Sequence, residues 1–488
     1  MSGLPMLSII VLSPVSAALL IALFGSHPKA PRAIALVAAA MTLGSAGWVY
    51  ATYDRVAAGF QFAEKVPWIP SLGVSYSLGV DGISAPMLVL TSLIIFTGVL
   101  VSWNVETRPR EYFALLLLLV TGVFGVFAAR DAFLLFFFYE MAVLPMYLLI
   151  AVWGSTRKEY SAMKLTLFLF AGSAILIVLL VLTYWQVGAG TFDMGVWSTH
   201  SFPVGFQHWA FLLALLGFGT LIPIFPLHTW SPDGHVAAPT AVSMIHAGVL
   251  LKIGAYGLIR LGLTLFPHGW ADWALLIGII GIINIVYGAL CAMSQTDLKY
   301  VIGYSSVSHM GYVLLGLAVG GKFGLSGAVF QMFAHGIMTG LFFALIGFVY
   351  EQTHTRQIAD ITGLMQRTPL VAACFIIAAA SSMGLPSTAG FVAELLVYVG
   401  VVTKSVWFAA AAFVGVVVTA AYLLRLLSQI LLGDPSEAVD PIHDAPLLRF
   451  APMAILAGMI MLVGVFPSSL YSTIATGVVP LLQRLTGG

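Results

Sequence analysis

The stretch from Gly217 to Lys252 reads GFGTLIPIFPLHTWSPDGHVAAPTAVSMIHAGVLLK. It begins as an apolar helix of the membrane type, is interrupted by Pro223 and Pro226, and becomes apolar again before an isolated lysine. Hydrocarbon offers no water to a freed backbone carbonyl, so such a break is tolerated at membrane depth only where it faces protein or a wet cavity. A lysine inside such a segment costs about 2.5–3.5 kcal/mol on insertion scales. The stretch therefore predicts an interrupted helix beside an ion path.

The whole chain has the composition of a polytopic membrane protein. Of its 488 residues, 60% are hydrophobic and only 8% are charged, which lies far from the usage of soluble domains. Its two cysteines, Cys291 and Cys374, stand in apolar segments without a second ligand nearby, so we interpret them as packing residues. No phosphate-binding glycine loop or dinucleotide fingerprint occurs in a strand-to-helix setting. We therefore expect no cofactor in this chain and no nucleic-acid partner.

Fourteen apolar segments are long enough to cross about 30 Å of hydrocarbon. They are predicted at 5–24, 33–53, 84–103, 112–129, 132–153, 163–187, 208–227, 240–263, 272–294, 302–320, 325–349, 369–402, 405–431 and 450–472. The first lacks a preceding basic region and is followed by another span, which predicts a retained helix and not a cleaved signal. If the spans alternate, most basic residues, among them Lys299, Arg356 and Arg425, fall on one side, here named the basic side. It is predicted to be cytoplasmic, with both termini outside.

A second interruption lies in the twelfth span. The helix breaks around Gly384, Leu385 and Pro386 and resumes through Gly390. Paired interrupted helices in the two halves of a chain are typical of inverted-repeat transporters. The predicted fold class is an all-α polytopic membrane protein of about fourteen transmembrane helices, with the seventh and twelfth broken. The long outside segment, 54–76, shows no chemical motif.

Three charged side chains stand isolated in apolar spans: Glu140 in FFFYEMAVLPMYLLI, Lys252 in HAGVLLKIGAYG and Glu394 in GLPSTAGFVAELLVYVG. Burial favours the uncharged form of such a group and a nearby opposite charge favours the charged form, so a group balanced between the two can load and release a proton. A hydrogen-bonded structural carboxylate, a lysine extended to the interface and a carboxylate that caps a half-helix are the alternatives. The cost of idle charge in lipid favours a proton path.

Further titratable or hydroxyl side chains surround these three. The set is His228, His235, His246, His309, His335, Lys299 and Tyr304. An imidazole accepts a proton on one nitrogen and donates from the other, which suits a relay, although each histidine is equally consistent with a packed core position. We expect His235 near the cytoplasmic end of the broken helix. Lys299 is expected at a membrane boundary, where it neutralises helix-end carbonyls or Asp297.

Five motifs occur in an order that resembles a known family. They are PIFPLHTWSPDGHVAAPTAVS, VLLKIGAYGLIRL, QTDLKYVIGYSSVSHMGYVL, FAHGIMTGLFF and GLPSTAGFVAEL, and the resemblance runs from about Ser77 to Arg425. They resemble the antiporter-like membrane subunits of respiratory complex I, in particular the M type, the counterpart of mitochondrial subunit 4. The resemblance implies two inverted five-helix repeats. They occupy 111–265 (helices 4–8) and 266–432 (helices 9–13), after the first three helices in 1–110 and before a C-terminal helix and tail in 433–488.

The resemblance also implies a function and the residues that perform it. The implied task is proton translocation while a neighbouring arm passes electrons from NADH to quinone, with FMN, iron–sulfur clusters and quinone held by partner subunits. The fifth-helix acid matches Glu140, the eighth-helix lysine Lys252, the relay histidines His309 and His335, and the twelfth-helix acid Glu394. The implied partners are other membrane-arm subunits, including neighbouring antiporter-like subunits. The expected location is a bacterial inner membrane, with both termini periplasmic.

One position departs from the family pattern. The family places a lysine two positions ahead of the first proline of P-x-x-P-x-H-x-W, and this chain has Leu221 there. In the family that lysine is the ion-pair partner of the acid matched by Glu140. Either Lys252, His228 or water takes over the missing role, or the chain is a paralogous subunit whose own channel is impaired.

Three other functions remain open at this point. The chain fits a subunit of a multi-subunit sodium/proton antiporter, although related subunits usually have lysine where the M type has the glutamate matched by Glu394. It also fits a membrane-bound hydrogenase or ferredoxin-driven relative, because the electron donor is chosen elsewhere. A structural membrane scaffold would leave proton movement unchanged when the isolated charges are removed.

Overall fold

The computed structural model describes residues 4–24, 29–57 and 59–486, most of them in helices. The helices before residue 260 are α1 (Met6–Phe24), α2 (Ala30–Thr52), α3 (Ser84–Val101), α4 (Pro109–Ala128), α5 (Ala132–Trp153), α6 (Lys158–Val187), α7 (Met194–Thr199), α8 (Val204–Leu221), α9 (Trp230–Ala237), α10 (Thr240–Ile245) and α11 (Leu251–Gly257). Those that follow are α12 (Pro267–Met293), α13 (Leu298–Val319), α14 (Gly321–Thr353), α15 (Leu364–Arg367), α16 (Pro369–Ser382), α17 (Ala389–Val402), α18 (Val406–Leu431), α19 (Leu447–Val465) and α20 (Ser468–Thr486).

The helix bounds agree with the predicted membrane spans. In the part of the chain that the structure describes, 13 helices are long and apolar enough to cross a membrane, with α10 and α11 lying in one continuous helix, Thr240–Leu263. The twelfth predicted span is divided into α16 and α17, two shorter apolar helices. The helix of the seventh predicted span, α8, ends at Leu221, and the chain becomes helical again only at Trp230. The prediction of a multi-pass helical protein is confirmed.

The helices differ in how far protein surrounds them. The most apolar stretches of Thr240–Leu263 and Gly321–Thr353 are 100% buried, and that of Leu298–Val319 is 94% buried. The stretches in α1, α2, α6, α12, α18 and α19 are only 33–39% buried, so these helices form the outer surface. Polar side chains at membrane depth are therefore shielded from lipid best in the continuous helix Thr240–Leu263 and in α13 and α14.

The end of the bundle opposite the basic side, predicted to face outward and here named the outside end, contains the only β-strands among the described residues. Strands β1 (Gln61–Ile69) and β2 (Val74–Val80) form an antiparallel hairpin in which Lys65 lies opposite Ser77. The turn uses Gly73 at φ +68°, a left-handed conformation that glycine adopts without steric cost. The all-α prediction is wrong for this segment, because Pro67 inside β1 weakens the strand signal in the sequence.

The C-terminal region also differs from the prediction. The span predicted at 450–472 ends with α19 at Val465, and the expected tail is the helix α20. Helix α20 lies on the outside end of the bundle, where Thr473 accepts a hydrogen bond from Arg55 at 2.9 Å and Arg484 donates to the carbonyl of Thr264 at 3.0 Å. Pro467 separates the two helices, because proline has no backbone N–H to continue the hydrogen-bond ladder of α19.

A buried ion pair joins the hairpin to the central helix on the outside end. Oδ1 of Asp81, just after β2, lies 2.5 Å from the guanidinium of Arg260, and the two side chains are only 8% and 9% exposed. The same oxygen accepts hydrogen bonds from the backbone N–H groups of Ile83 and Ser84. Burial by itself would raise the pKa of Asp81, but the Arg260 guanidinium and these donors hold it below its ordinary value.

We expect Asp81→Asn to lower the stability of the protein by about 3–5 kcal/mol, because it leaves the Arg260 guanidinium buried without its counter-ion. Because the folded pKa is lowered, the pair contributes fully above the unfolded carboxyl value of 3.8, and its contribution is lost as pH falls through the folded pKa. The difference in thermal unfolding midpoint between the parent and the variant should therefore narrow at acidic pH.

The control is Glu111→Gln, which removes a pair with Arg108 whose side chains are 45% and 57% exposed. An exposed pair contributes only about 0–1 kcal/mol. Equal midpoints for Asp81→Asn and Glu111→Gln would contradict the role given to the buried pair.

Candidate functional site

The interruption between α8 and α9 is satisfied by side chains from other positions. Asn284 on α12 is fully buried; its amide nitrogen donates to the carbonyl of Pro223 at 3.0 Å and its oxygen accepts from the N–H of Phe225 at 2.8 Å. The indole of Trp230 donates to the carbonyl of Thr220 at 3.0 Å. These carbonyl and N–H groups of the open backbone therefore have their hydrogen-bond partners inside the protein, which stabilises the interruption at membrane depth. Sequence reasoning missed Asn284, whose signal was a single amide in the apolar segment LLIGIIGIINIVYGAL.

Lys252 lies in the fully enclosed central helix. A π-helical turn, His246–Leu250, separates α10 from α11, and Nζ of Lys252 donates to the carbonyl of Ala247 inside that turn. Nζ also lies 2.6 Å from Nδ1 of His335 on α14. Single π turns of this kind are frequent at functional sites, because they alter the regular hydrogen bonding of the helix. Lysine and imidazole are thus in direct contact where neither reaches water.

Two further groups continue from His335. Its ring centroid lies 5.5 Å from that of His309 on α13. Nδ1 of His309 lies 3.5 Å from the Glu394 carboxylate on α17, and both side chains are less than 10% exposed. Lys252, His335, His309 and Glu394, here named the central line, therefore join four helices across the middle of the bundle.

The second interruption gives Glu394 its position. Gly384, between α16 and α17, has φ +67°, and a Cβ atom there would lie 2.7 Å from Oε2 of Glu394. The N–H of Gly390, in the first turn of α17, donates to the hydroxyl of Ser381 at 3.2 Å. The break therefore provides both a turn that requires glycine and the space that the carboxylate fills.

A second group of titratable side chains lies between the central line and the basic side. The rings of His235 and His246 are 4.0 Å apart, and that of His246 stacks on Trp230 at 5.3 Å. Nζ of Lys299 donates to the carbonyl of Ala238, at the end of α9, at 2.7 Å. The helix-end carbonyl is therefore the partner of Lys299, one of the two that the sequence allowed. The other, Asp297, pairs with Arg356 instead.

Glu140 does not join the central line. Its side chain is half-buried on α5, and Oε1 has no hydrogen-bond partner within the described ranges. No arginine, lysine or histidine of the described residues forms an ion pair with it. Leu221 is fully buried and packs against Gly254 on α11. The contact is so close that a Cβ atom added at Gly254 would lie 2.7 Å from the Cβ atom of Leu221. Hydrocarbon therefore surrounds Leu221, at the position where the sequence predicts the departure.

Two other predicted relay residues also lie apart. The ring of His228 lies 5.7 Å from that of Phe225 and 5.1 Å from that of Tyr287, and neither of its nitrogens has a partner in the described part of the chain. Tyr304 is half-buried. The hydroxyl of the neighbouring Ser305 contacts another helix, with its oxygen 2.9 Å from that of Tyr422 on α18.

Two polar residues beside His309 were missed from the sequence. Nε2 of His309 lies 2.8 Å from the hydroxyl of Ser382, and the amide nitrogen of Gln331 lies 3.2 Å from its Nδ1. Both are almost fully buried. Serine and glutamine are common in membrane helices, so only the packing of α13 against α14 and α16 distinguishes them. Among the residues that the structure describes, no three histidine, cysteine or acidic side chains are arranged to hold a metal ion.

The fold and its interior define a multi-pass membrane protein in which proton-exchanging side chains are buried between helices. The chain belongs to the family described as NADH:quinone oxidoreductase/Mrp antiporter, transmembrane, which matches residues 129–419. The resemblance drawn from the five motifs is therefore confirmed.

Named relatives cover nearly the whole chain. It is 38% identical to NADH-quinone oxidoreductase subunit M of Rhodobacter capsulatus in an alignment of 498 positions, which covers 98% of this chain and 96% of that protein. It is 40% identical to an NAD(P)H-quinone oxidoreductase chain 4 of Picosynechococcus in an alignment of 437 positions, which covers 87% of this chain and 79% of the relative. A chain of respiratory complex I from Thermus thermophilus with bound NADH matches with a TM-score of 0.90 at 29% identity, covering 98% of this chain and 99% of its own.

We expect Gly384→Ala to slow the labelling of Glu394 by a hydrophobic carbodiimide, because the added methyl group occupies the space beside the carboxylate. A left-handed backbone also costs a non-glycine residue about 1–2 kcal/mol. The matched control is Gly433→Ala, which has φ +82° and no atom within 4 Å of the added carbon. Both variants should lose stability in thermal unfolding, but only Gly384→Ala should change the labelling rate. Equal labelling rates in the two variants would contradict the position assigned to Glu394.

Proposed function

We propose that the chain is a proton-translocating, M-type membrane-arm subunit of a complex I-like NADH:quinone oxidoreductase. The observation that carries the proposal is the central line, in which Lys252 contacts His335 and His309 contacts Glu394, and all four side chains are buried. Family membership and the names of the relatives support the same assignment.

Proton transfer along the central line follows from its geometry. A proton leaves Nζ of Lys252 and joins Nδ1 of His335, 2.6 Å away, which leaves a neutral amine and an imidazolium. His335 then releases a proton to His309; at a ring separation of 5.5 Å, a bridging water suits this step. His309 passes a proton from Nδ1 to the Glu394 carboxylate, 3.5 Å away. His335 and His309 each gain one proton and lose one, whereas Lys252 ends one proton short and Glu394 ends with one more. The line is therefore reset when Lys252 takes up a proton and Glu394 releases one.

The chain contributes no redox step in this proposal. FMN, iron–sulfur clusters and quinone belong to partner subunits, and this chain acts within the enzyme through its protons. Its neighbours are other membrane-arm subunits, including antiporter-like ones, in a bacterial inner membrane. The basic side faces the cytoplasm and both termini face the periplasm. The interruptions after α8 and α16 support the division into inverted repeats at 111–265 and 266–432.

The departure at Leu221 changes the expected role of Glu140. Lys252 is engaged with Ala247 and His335, and His228 lies between aromatic rings, so the described contacts give neither residue the role of the missing lysine. We therefore place Glu140 outside the proton path of this subunit. This favours, as a second candidate, a paralogous subunit in which the first repeat has lost part of its channel. The Glu394 end of the line remains intact in either case.

We expect Glu394→Gln and Lys252→Ala each to lower the ratio of protons moved to electrons transferred, because each removes a titratable member of the line. Glu140→Gln should leave the ratio unchanged. The measurement compares dye-monitored acidification with NADH oxidation in inside-out membrane vesicles that contain the assembled complex. An unchanged ratio in all three variants, with full assembly, would point to a structural scaffold. Sodium-dependent proton movement without NADH oxidation would point to an antiporter.

Restoring the family's lysine tests the departure directly. We expect Leu221→Lys to destabilise the complex less where Glu140 is present to pair with it, because an unpaired lysine at membrane depth costs about 2.5–3.5 kcal/mol. The thermal midpoint of the complex should therefore fall further for Leu221→Lys in a Glu140→Gln background than in the parent, with Leu221→Met as the control for size. If the background makes no difference, the two positions do not interact. An unchanged proton-to-electron ratio in Leu221→Lys would argue against a lost pump element at this site.

A further inference from the structure

A cavity on the basic side lies apart from the central line. Its volume is about 200 Å³, and it lies between the end of α12, the start of α13, the short helical turn Ile358–Asp360 and α18. The lining side chains of Thr296, Arg425 and Gln429 are exposed. The cavity therefore connects with the aqueous phase on that side.

The inner wall of this cavity includes Tyr422, which is only 3% exposed. Its hydroxyl donates to the hydroxyl of Ser305 on α13 at 2.9 Å. It also interacts with Ser382, the last residue of α16. Tyr422 therefore stands between the cavity and two serines at the level of the second interruption.

Ser382 connects this tyrosine to the central line. The Ser382 hydroxyl lies 2.8 Å from Nε2 of His309, and Nδ1 of the same imidazole lies 3.5 Å from Glu394. Hydroxyl and imidazole groups thus follow one another from the cavity to the carboxylate. This sequence of contacts reaches Glu394 without passing through Lys252 or His335.

A buried tyrosine paired with a serine is not in itself a proton path. The same pair occurs where the Tyr112 hydroxyl lies 3.0 Å from that of Ser102, but the Tyr112 ring packs against the rings of Phe113 and Trp153. Tyr422 differs because it lines a cavity on one side and reaches a chain of proton-exchanging groups on the other. This difference also supplies a matched control.

We propose that the cavity and Tyr422 form a proton inlet that loads Glu394 from the basic side, independently of Lys252. A hydronium ion in the cavity gives a proton to the Tyr422 hydroxyl as that hydroxyl releases its own to Ser382. With the Gln331 amide rotated so that its oxygen, which has no hydrogen-bond partner among the described residues, accepts from Nδ1–H of His309, Nε2 is free to take a proton. Ser382 then passes its proton to Nε2 of His309, and His309 releases the proton on Nδ1 to the Glu394 carboxylate. Every intermediate group ends neutral, and one proton has moved from water to the acid. The inlet rests on the proposed function, because it supplies the same carboxylate.

The first experiment removes one hydroxyl. Tyr422→Phe in the assembled complex should lower the proton-to-electron ratio in inside-out vesicles toward the value of Glu394→Gln. Tyr112→Phe, which removes an equivalent buried hydroxyl, should leave the ratio at the parent value. Equal ratios for Tyr422→Phe and Tyr112→Phe would overturn the inlet.

The second experiment blocks the cavity after assembly. Both variants are made in a Cys291→Ser background. Gln429→Cys places a thiol on the cavity wall. Ser428→Cys places a thiol at the neighbouring exposed position, where the native serine hydroxyl donates to the Arg425 carbonyl. A bulky membrane-impermeant thiol reagent, applied to the basic side, should lower the ratio for Gln429→Cys and leave Ser428→Cys unchanged. Comparing labelled Gln429→Cys with labelled Ser428→Cys tests whether protons enter through the cavity, even if Tyr422→Phe fails to assemble.

The outcomes separate the inlet from the proposed function. If Glu394→Gln lowers the ratio while Tyr422→Phe and labelled Gln429→Cys do not, the inlet is wrong and the function stands. If Glu394→Gln leaves the ratio unchanged in a fully assembled complex, the proposed function fails, and the inlet to that residue fails with it.

Discussion

Every peptide group that an interrupted helix releases at membrane depth must find its partner inside the protein, because lipid offers none. The break after α8 meets this requirement through Asn284 and Trp230, which bond the carbonyls and the N–H group left open around the two prolines. With those groups satisfied, α9 can turn beneath the central helix and place His235 beside His246. The irregular backbone and the buried imidazoles therefore depend on one another.

The same requirement governs the buried charges. Lys252 lies where a π turn presents the carbonyl of Ala247, and Glu394 lies where Gly384 leaves room for a carboxylate. Each charge thus sits beside an irregular stretch of helix, and each has a histidine as a second partner. A regular helix would offer neither an uncommitted carbonyl nor space. Interruptions and titratable side chains consequently occur together in the enclosed helices of the bundle.

The two halves of the chain are not equivalent. In the second half, His309 joins Glu394 to the rest of the line and to the hydroxyls that lead toward the basic side. In the first half, Leu221 packs against α11 as hydrocarbon and Glu140 remains on a half-buried face of α5 without a described counter-ion. The described ion pairs and hydrogen bonds therefore link the titratable groups of the second half and leave Glu140 in the first half apart. At the outside end, the Asp81–Arg260 pair and α20 hold the bundle together.

The sequence by itself determined the multi-pass helical class, the proline and glycine positions that break the helical pattern, and the isolated charges, because hydrocarbon thickness sets span length and proline acts on its own local backbone. It did not reveal the hairpin, whose strand signal Pro67 weakens, or the final helix α20. Only the tertiary structure decided which titratable groups meet: Lys252 and His335 are 83 positions apart, and the contacts of Asn284 and Tyr422 are also distant in sequence. Such contacts depend on how each helix is rotated against its neighbours, and spans that are apolar on every face carry too little periodicity to specify that rotation.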